Sequence, residues 1–397
     1  MINPPGHRSR DGFQWTREGG LQAGIPSLGV IKPTNNLSPA GTNDAVFDVI
    51  VVGGGYTGLT AIRDLALAGH RVLLPEARDR IGGRSWSSNI DGYPYELGGT
   101  WLFRYGMSSA LEISMVTESG LNKCFVDMGS NRLEMSHERE DIPSESALIK
   151  YIDVDGHLAR TVIPFPHDPH YDKEAVAHYD AMSMADRLAE IADELTPVEY
   201  SMLEQFLAVT CGSGRFEDAS FFEVLRWWAL MNYSYRDFIA LGLTYKLRHG
   251  QPALARGFFD EALATGNLRR SSSNSSSSSA GTGTTATFRA HRVICTVPLN
   301  VLYKIDFSPP LSQAKSEASK LGHVNQVAKC HAELGHPELR SVTAFSRDAK
   351  LTYGFGDGTT PAGNTHPEED IQETLQAWRD LIVGRNTPGT TMMEGVY

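Results

Sequence analysis

The stretch from Phe47 to Glu76 leaves few choices of fold. It opens with the apolar run Phe47-Asp48-Val49-Ile50-Val51-Val52, short and β-branched, which reads as a buried strand. Gly53, Gly55 and Gly58 follow at the spacing G-x-G-x-x-G. A helical run from Leu59 to Ala68 comes next, and Gly69 is placed to end it. A second strand, Arg71 to Leu74, then delivers the acid Glu76. Strand, tight turn, helix, strand and acid make up the unit that seats a dinucleotide. Its glycines let backbone N–H groups approach a pyrophosphate at the positive end of a helix, and its acid takes ribose hydroxyls. Three glycines also occur in ordinary turns, so the elements around them carry the assignment.

Composition narrows the function classes. Thirty-six basic against 47 acidic residues give a net charge of −11, which disfavours a general nucleic-acid or anionic-membrane binder. No apolar run reaches the length of a membrane span. Cys124, Cys211, Cys295 and Cys330 show no C-x-x-C spacing, so neither a metal centre nor a disulfide framework is expected. A reduced compartment fits. No signal-peptide core and no peroxisomal S-K-L ending occur in this chain, so a cytoplasmic location is expected.

The continuation Glu76-Ala77-Arg78-Asp79-Arg80-Ile81-Gly82-Gly83-Arg84 selects among cofactors. A nicotinamide enzyme has no need of a second glycine pair and an arginine directly after the ribose acid. An NAD-dependent dehydrogenase is therefore disfavoured. This run, with Tyr95-Glu96-Leu97-Gly98-Gly99-Thr100-Trp101, resembles the flavin-containing amine oxidases, and within them the fungal monoamine oxidases. The likeness extends to Arg10–Thr16, Val293–Leu302 and Gly356–His366 and covers most of the chain.

The resemblance implies an α/β chain: a Rossmann-like FAD/NAD(P)-binding domain with an inserted α+β substrate domain. Residues 1–44, rich in Pro, Gly, Asn and Ser, read as an extended N-terminal arm. Residues 45–145 form the first part of the FAD-binding domain and 146–240 the first part of a helical substrate domain. Residues 241–300 return to the FAD-binding domain and 301–397 to a truncated substrate domain. Capping signals at Ser183 with Asp186, Thr196 with Glu199, and Ser220 with Glu223 place three helices in the inserted module. The serine-rich 269–287 is a low-complexity linker where the family has an adenine-side hairpin. Val293–Val297 reads as a buried strand, and Pro75 sits oddly at the end of an inner one.

The resemblance also assigns roles. FAD, held without a covalent bond, is expected at Gly53, Gly55, Thr57, Gly58, Glu76, Ala77, Arg78, Gly83, Arg84, Gly98, Gly99, Thr100 and Trp101. Lys329, on a strand around Asn325–Glu333, matches the lysine that holds a water against flavin N5; from composition alone it reads as a solvated strand residue. Phe206, Val209, Ile239 and Leu243 line an apolar amine cavity or simply pack a core. No metal is expected, and a homo-oligomer is left open. The implied reaction takes a primary aliphatic or arylalkyl amine and oxygen to an aldehyde, ammonia and hydrogen peroxide. The family's aromatic pair over the flavin and its closing glycine-rich segment have no match in this chain. The alternative is therefore an inactive flavin-fold paralogue or an incomplete gene product.

Overall fold

The computed structural model describes residues 8–31, 46–90, 93–100, 123–128, 131–210, 216–242, 247, 250–272, 287–322, 327–332, 342–345, 351–355 and 391–396. The chain begins with strands β1 (Arg8–Thr16) and β2 (Gly20–Pro26), then β3 (Val46–Val52), helix α1 (Tyr56–Leu67) and β4 (Val72–Glu76). β5 (Ser87–Ile90), β6 (Tyr93–Glu96), β7 (Lys123–Asp127) and β8 (Arg132–Ser136) follow. A helical series comes next: α2 (His137–Ile152), α3 (Lys173–Ala181), α4 (Met184–Glu190), α5 (Pro197–Thr210), α6 (Phe221–Leu230) and α7 (Tyr235–Gly242). Then come α8 (Gln251–Ala264), β9 (Leu268–Ser272), β10 (Arg289–Cys295) and α9 (Gln313–Leu321). The last strands are β11 (Val327–Ala332), β12 (Val342–Phe345), β13 (Leu351–Phe355) and β14 (Thr391–Val396). No helix among the described residues is long and apolar enough to cross a membrane.

The chain forms two compact units. One comprises Met1–Thr100 and Leu247–Val324, the other Trp101–Lys246 and Asn325–Tyr397. These units divide at 100/101, 246/247 and 324/325, where the sequence reading places divisions at 145/146, 240/241 and 300/301. In particular, α2 runs unbroken across residue 145, because its core residues Ala147, Leu148, Tyr151 and Ile152 belong to the helical module.

The first unit is built on a four-stranded sheet in the order β10-β3-β4-β9, every neighbouring pair parallel. Strict alternation buries Phe47, Val49 and Val51 of β3. Leu59, Ile62 and Ala66 of α1 recur at helical spacing, as do Ala255, Phe259 and Ala262 of α8, and both stripes join Val49, Val51, Val72 and Leu74 in one core. Removing each such Leu or Ile side chain from water contributes about 1.5–3 kcal/mol.

Three expectations are corrected in this unit. Residues 1–44 are not merely an arm, since β1 and β2 form an antiparallel hairpin within them. The 269–287 segment is not linker throughout: residues 269–272 belong to β9, which pairs in parallel with β4. β10 is a strand as expected, yet an outer one, with Val293 63% and Ile294 38% exposed. Pro75 lies inside β4, where its carbonyl accepts the Gly53 N–H at 3.0 Å.

The second unit holds the helical module and a six-stranded mixed sheet in the order β11-β14-β13-β12-β7-β8. Tyr151, Leu188, Phe221, Leu225 and Trp228 centre the helical core. Two of the capping signals work as read. Ser183 and Asp186 make a reciprocal capping box on α4, and Glu199 Oε2 accepts the Thr196 N–H at 2.8 Å. Ser220 caps α6 through the Phe222 N–H, while Glu223 turns instead to Arg226. Buried Arg187 closes the end of α2 by donating to the Tyr151 and Lys150 carbonyls at 2.9 and 3.0 Å.

Glu199 is 5% exposed and also accepts from Ser146 at 2.5 Å and Lys150 at 2.9 Å. Burial alone would raise its pKa. The hydrogen bonds from Ser146, Lys150 and Thr196 outweigh burial and bring it from 4.5 down to about 2. A depressed carboxyl stabilises the fold above its unfolded pKa, and that contribution is lost as pH falls through the folded value. Thermal melts between pH 5 and pH 2 should therefore show wild type losing about 2–3 kcal/mol more than Glu199→Gln. Parallel curves would mean the carboxylate adds nothing over an amide.

Candidate functional site

The glycine turn after β3 is tightly packed at Gly53, Gly54 and Gly58 and open at Gly55. Gly58 opens α1 so near the turn that an added Cβ would lie 1.9 Å from the Gly53 carbonyl oxygen. Gly53 takes φ +105°, a conformation that favours glycine. Thr296, just after β10, seals the turn from the far side, its hydroxyl donating to the Val52 carbonyl at 2.8 Å. Gly55 is the N-cap of α1 and offers no side-chain cap, and no acid occupies the first turn. The leading N–H groups of this helix end thus face a space compatible with an anion.

Glu76 ends β4 beside this turn. Its carboxylate accepts the Gly54 N–H at 2.5 Å and the Arg78 N–H at 2.8 Å. A carboxylate has about four acceptor positions, so capacity for ribose hydroxyls remains. The second glycine pair backs onto the first. Gly82 donates its N–H to the Gly54 carbonyl at 2.8 Å. Gly83 takes φ +62° and comes so close that a Cβ there would lie 3.2 Å from the Gly55 Cα. The third pair is fixed by Arg84, whose carbonyl accepts the Gly99 N–H at 3.0 Å and leaves 1.9 Å for any Cβ on Gly98.

One unit therefore brings together Gly53, Gly55, Thr57, Gly58, Glu76, Ala77, Arg78, Gly83, Arg84, Gly98, Gly99 and Thr100. The side chains of Thr57, Arg78 and Arg84 are exposed, as is Ala77. Trp101 lies outside the described residues. Lys329 sits half-buried on β11 in the other unit, in register with Met393 of β14. Phe206 and Ile239 pack against the helical core, Phe206 edge-on to Phe238 at 5.6 Å. Val209 belongs to α5, and Leu243 lies outside the described residues.

Sequence reasoning missed two supports. Arg80 was read only as part of the run, yet its side chain is fully buried. Its guanidinium lies 3.9 Å over the Trp86 ring, and Nη1 donates to the Gly83 carbonyl at 2.8 Å. Burial, with Arg78 nearby, lowers its pKa to about 10. Nη2 is buried without a hydrogen-bond partner. The second support joins α1 to α8. The Tyr56 hydroxyl reaches Gln251, whose N–H donates to buried Glu96 at 2.8 Å and whose Nε2 donates to the Thr100 carbonyl. Burial and the Glu96 charge raise the Tyr56 pKa, so the phenol stays a donor.

A backbone cradle too close for side chains, an uncapped helix start, a ribose-side acid and a buried unsatisfied guanidinium suit a phosphate-bearing dinucleotide. The sequence model described as flavin containing amine oxidoreductase matches residues 56–397. The chain belongs to that family. As a flavin-containing amine oxidoreductase, it takes FAD as its cofactor. Curated relatives include pseudooxynicotine dehydrogenase of a Pseudomonas species, 29% identical over 296 residues, which cover 71% of this chain and 58% of that protein. Nicotine dehydrogenase of Pseudomonas putida is 27% identical over 347 residues, covering 82% and 69%. Among solved structures, putrescine oxidase bound to putrescine superposes with a TM-score of 0.52 at 22% identity, over 70% of this chain and 63% of that one. That likeness supports the fold. The chain thus spans under two thirds of the pseudooxynicotine dehydrogenase and putrescine oxidase chains.

Proposed function

We propose that this oxidoreductase converts a primary aliphatic or arylalkyl amine to an aldehyde, with release of ammonia and hydrogen peroxide. The observation that carries the reading is the apposition of Gly53–Gly58, Glu76 and Gly82–Gly83 in one cradle, inside a chain matched to the family over residues 56–397. The relatives named for nicotine, pseudooxynicotine and putrescine all act on nitrogen-bearing substrates by their names.

Gly53, Gly55, Gly58 and Gly83 present backbone to the pyrophosphate, and Glu76 takes the ribose hydroxyls. Bound there, FAD would supply the two-electron transfer from amine to oxygen. The amine loses those electrons with two hydrogens to give an imine, which water hydrolyses to aldehyde and ammonia. Oxygen gains two electrons and two protons as hydrogen peroxide. Lys329 offsets the negative charge that builds as oxygen is reduced. Phe206 and Ile239 supply apolar surface to a substrate that binds neutral. In this reading FAD is held there without a covalent bond.

The test is direct. Purified full-length chain should show a flavin absorbance spectrum, and acid precipitation should release all colour to the supernatant. A panel of primary amines should bleach that spectrum without oxygen and yield peroxide with it. Glu76→Ala should weaken FAD binding by about 1–3 kcal/mol. Colour retained on the precipitated chain would refute non-covalent binding, and bound flavin that no amine bleaches would refute the proposed reaction.

A further inference from the structure

The β1–β2 hairpin lies against the loop that carries the second glycine pair. Ser9, 1% exposed, donates its hydroxyl to Asp79 at 2.9 Å, and the Arg10 N–H donates to the same carboxylate at 2.8 Å. The Ile31 N–H donates to the Asp79 carbonyl and the Ile81 N–H to the Gly29 carbonyl, both at 2.9 Å. Ser27 donates to the Ser87 carbonyl at 2.8 Å, and Ser88 to the Pro26 carbonyl at 2.9 Å. Six hydrogen bonds thus seat the N-terminal segment along residues 79–88 without using Asp11.

Asp11 does something else. Its carboxylate takes the Arg80 Nε at 2.8 Å and meets Arg78 Nη1 at 3.3 Å. Arg80 is fully buried and Asp11 36% exposed, so the acid is the charge through which a buried cation is balanced from the rim. A buried cation stripped of its partner is strongly destabilised and changes its position or draws in water. Arg80 in turn holds the Gly83 carbonyl at 2.8 Å, and Gly83 stands against Gly55. The route runs Asp11, Arg80, Gly83, Gly55, with a hydrogen bond or a close contact at each step.

We propose that Asp11 is a positioning residue for the flavin cradle, and that the N-terminal hairpin is a clamp slowing flavin release by fixing Arg80 and, through it, Gly83. The inference rests on the reading that FAD occupies this cradle. It predicts a cofactor-retention defect larger than any loss of fold stability. Removing one charged hydrogen bond should speed flavin release roughly ten- to a hundredfold.

The experiment measures FAD dissociation from full-length protein by the recovery of flavin fluorescence after dilution, alongside the melting temperature of the apoprotein. Asp11→Asn keeps the shape and removes the charge. Ser88→Ala removes one of the six seating hydrogen bonds, to the Pro26 carbonyl, and leaves Ser9, Asp11 and Arg80 in place, while Asp11→Glu restores the charge on a longer stem. The clamp predicts fast release in Asp11→Asn, release within about twofold of wild type in Ser88→Ala, and partial rescue in Asp11→Glu. In an Arg80→Lys background, Asp11→Asn should add little, because its effect passes through the guanidinium. Should Asp11→Asn fail to fold, an Arg80→Lys variant releasing flavin at the wild-type rate would overturn the proposal. Wild-type release rates in Asp11→Asn, or equal acceleration in Ser88→Ala, would overturn the clamp while leaving the FAD site standing. A wild-type chain that binds no FAD would overturn both.

Discussion

Gly58→Ala should yield a chain without bound flavin and with a lowered melting temperature. The new methyl would lie 1.9 Å from the Gly53 carbonyl oxygen and 2.9 Å from the Thr296 hydroxyl. Neither neighbour is the free end of a flexible side chain. The Gly53 carbonyl belongs to the turn itself, and Thr296 is bonded to the Val52 carbonyl. Relief requires α1 to withdraw from the end of β3, which also separates Leu59 and Ile62 from the sheet. Overpacking in a fixed site costs about 1–3 kcal/mol, and this one is borne by backbone. Flavin content by absorbance and apoprotein melting would check both effects. A yellow Gly58→Ala protein would mean that α1 enters the turn at another angle.

Lys329→Met should split the reaction into a nearly normal half and a slow one. The reductive half needs a neutral amine, an apolar wall and FAD, none of which depends on the ammonium. The oxidative half places negative charge on oxygen, and the role proposed for Lys329 is to offset that charge. Loss of one preorganised stabilising group costs roughly 2.7–4 kcal/mol, a hundred- to a thousandfold in rate. Methionine keeps the stem packed on β11 and removes only the head. Stopped-flow records of anaerobic flavin bleaching and of reoxidation in wild type and variant would separate the halves. Equal reoxidation rates would return Lys329 to an ordinary half-buried strand position.

The cradle was readable from residues because each part announces itself locally. The β3 run is apolar and branched, Gly58 sits where a side chain would strike Gly53, and Glu76 follows at the end of β4. The capping signals at Ser183 and Thr196 were legible for the same reason, since acceptor and donor lie three residues apart. What failed to show was built on partners far away. β1 reads as polar coil because its inward positions are Ser9 and Asp11, which answer to Asp79 and Arg80 about 70 residues later. β9 carries one apolar residue, Leu268, and becomes a strand through its parallel pairing with β4. β10 has the pattern of a buried strand and stands at the edge of its sheet, because apolar residues report propensity and not position. Arg80 looked like one more charge in a charged run, and its burial follows from the hairpin above it.

The sheet order β10-β3-β4-β9 also sets a schedule for synthesis. β3, α1 and β4 leave the ribosome early, but both outer strands and α8 come from beyond the helical module. Tyr56 waits for Gln251, 195 residues later, and the Val52 and Gly53 carbonyls wait for Thr296, 244 and 243 residues later. The core shared by the helices from α2 to α7 draws only on residues 147–238 and can consolidate while the nascent sheet still has two open edges. Distant strand pairings close slowly, and unpaired edges recruit other chains in the interval. A ribosome-bound chain halted before β9 should therefore hold a protease-resistant helical core and bind no FAD. The cofactor then arrives as one of the last partners, and its supply during synthesis bears on how much chain escapes aggregation.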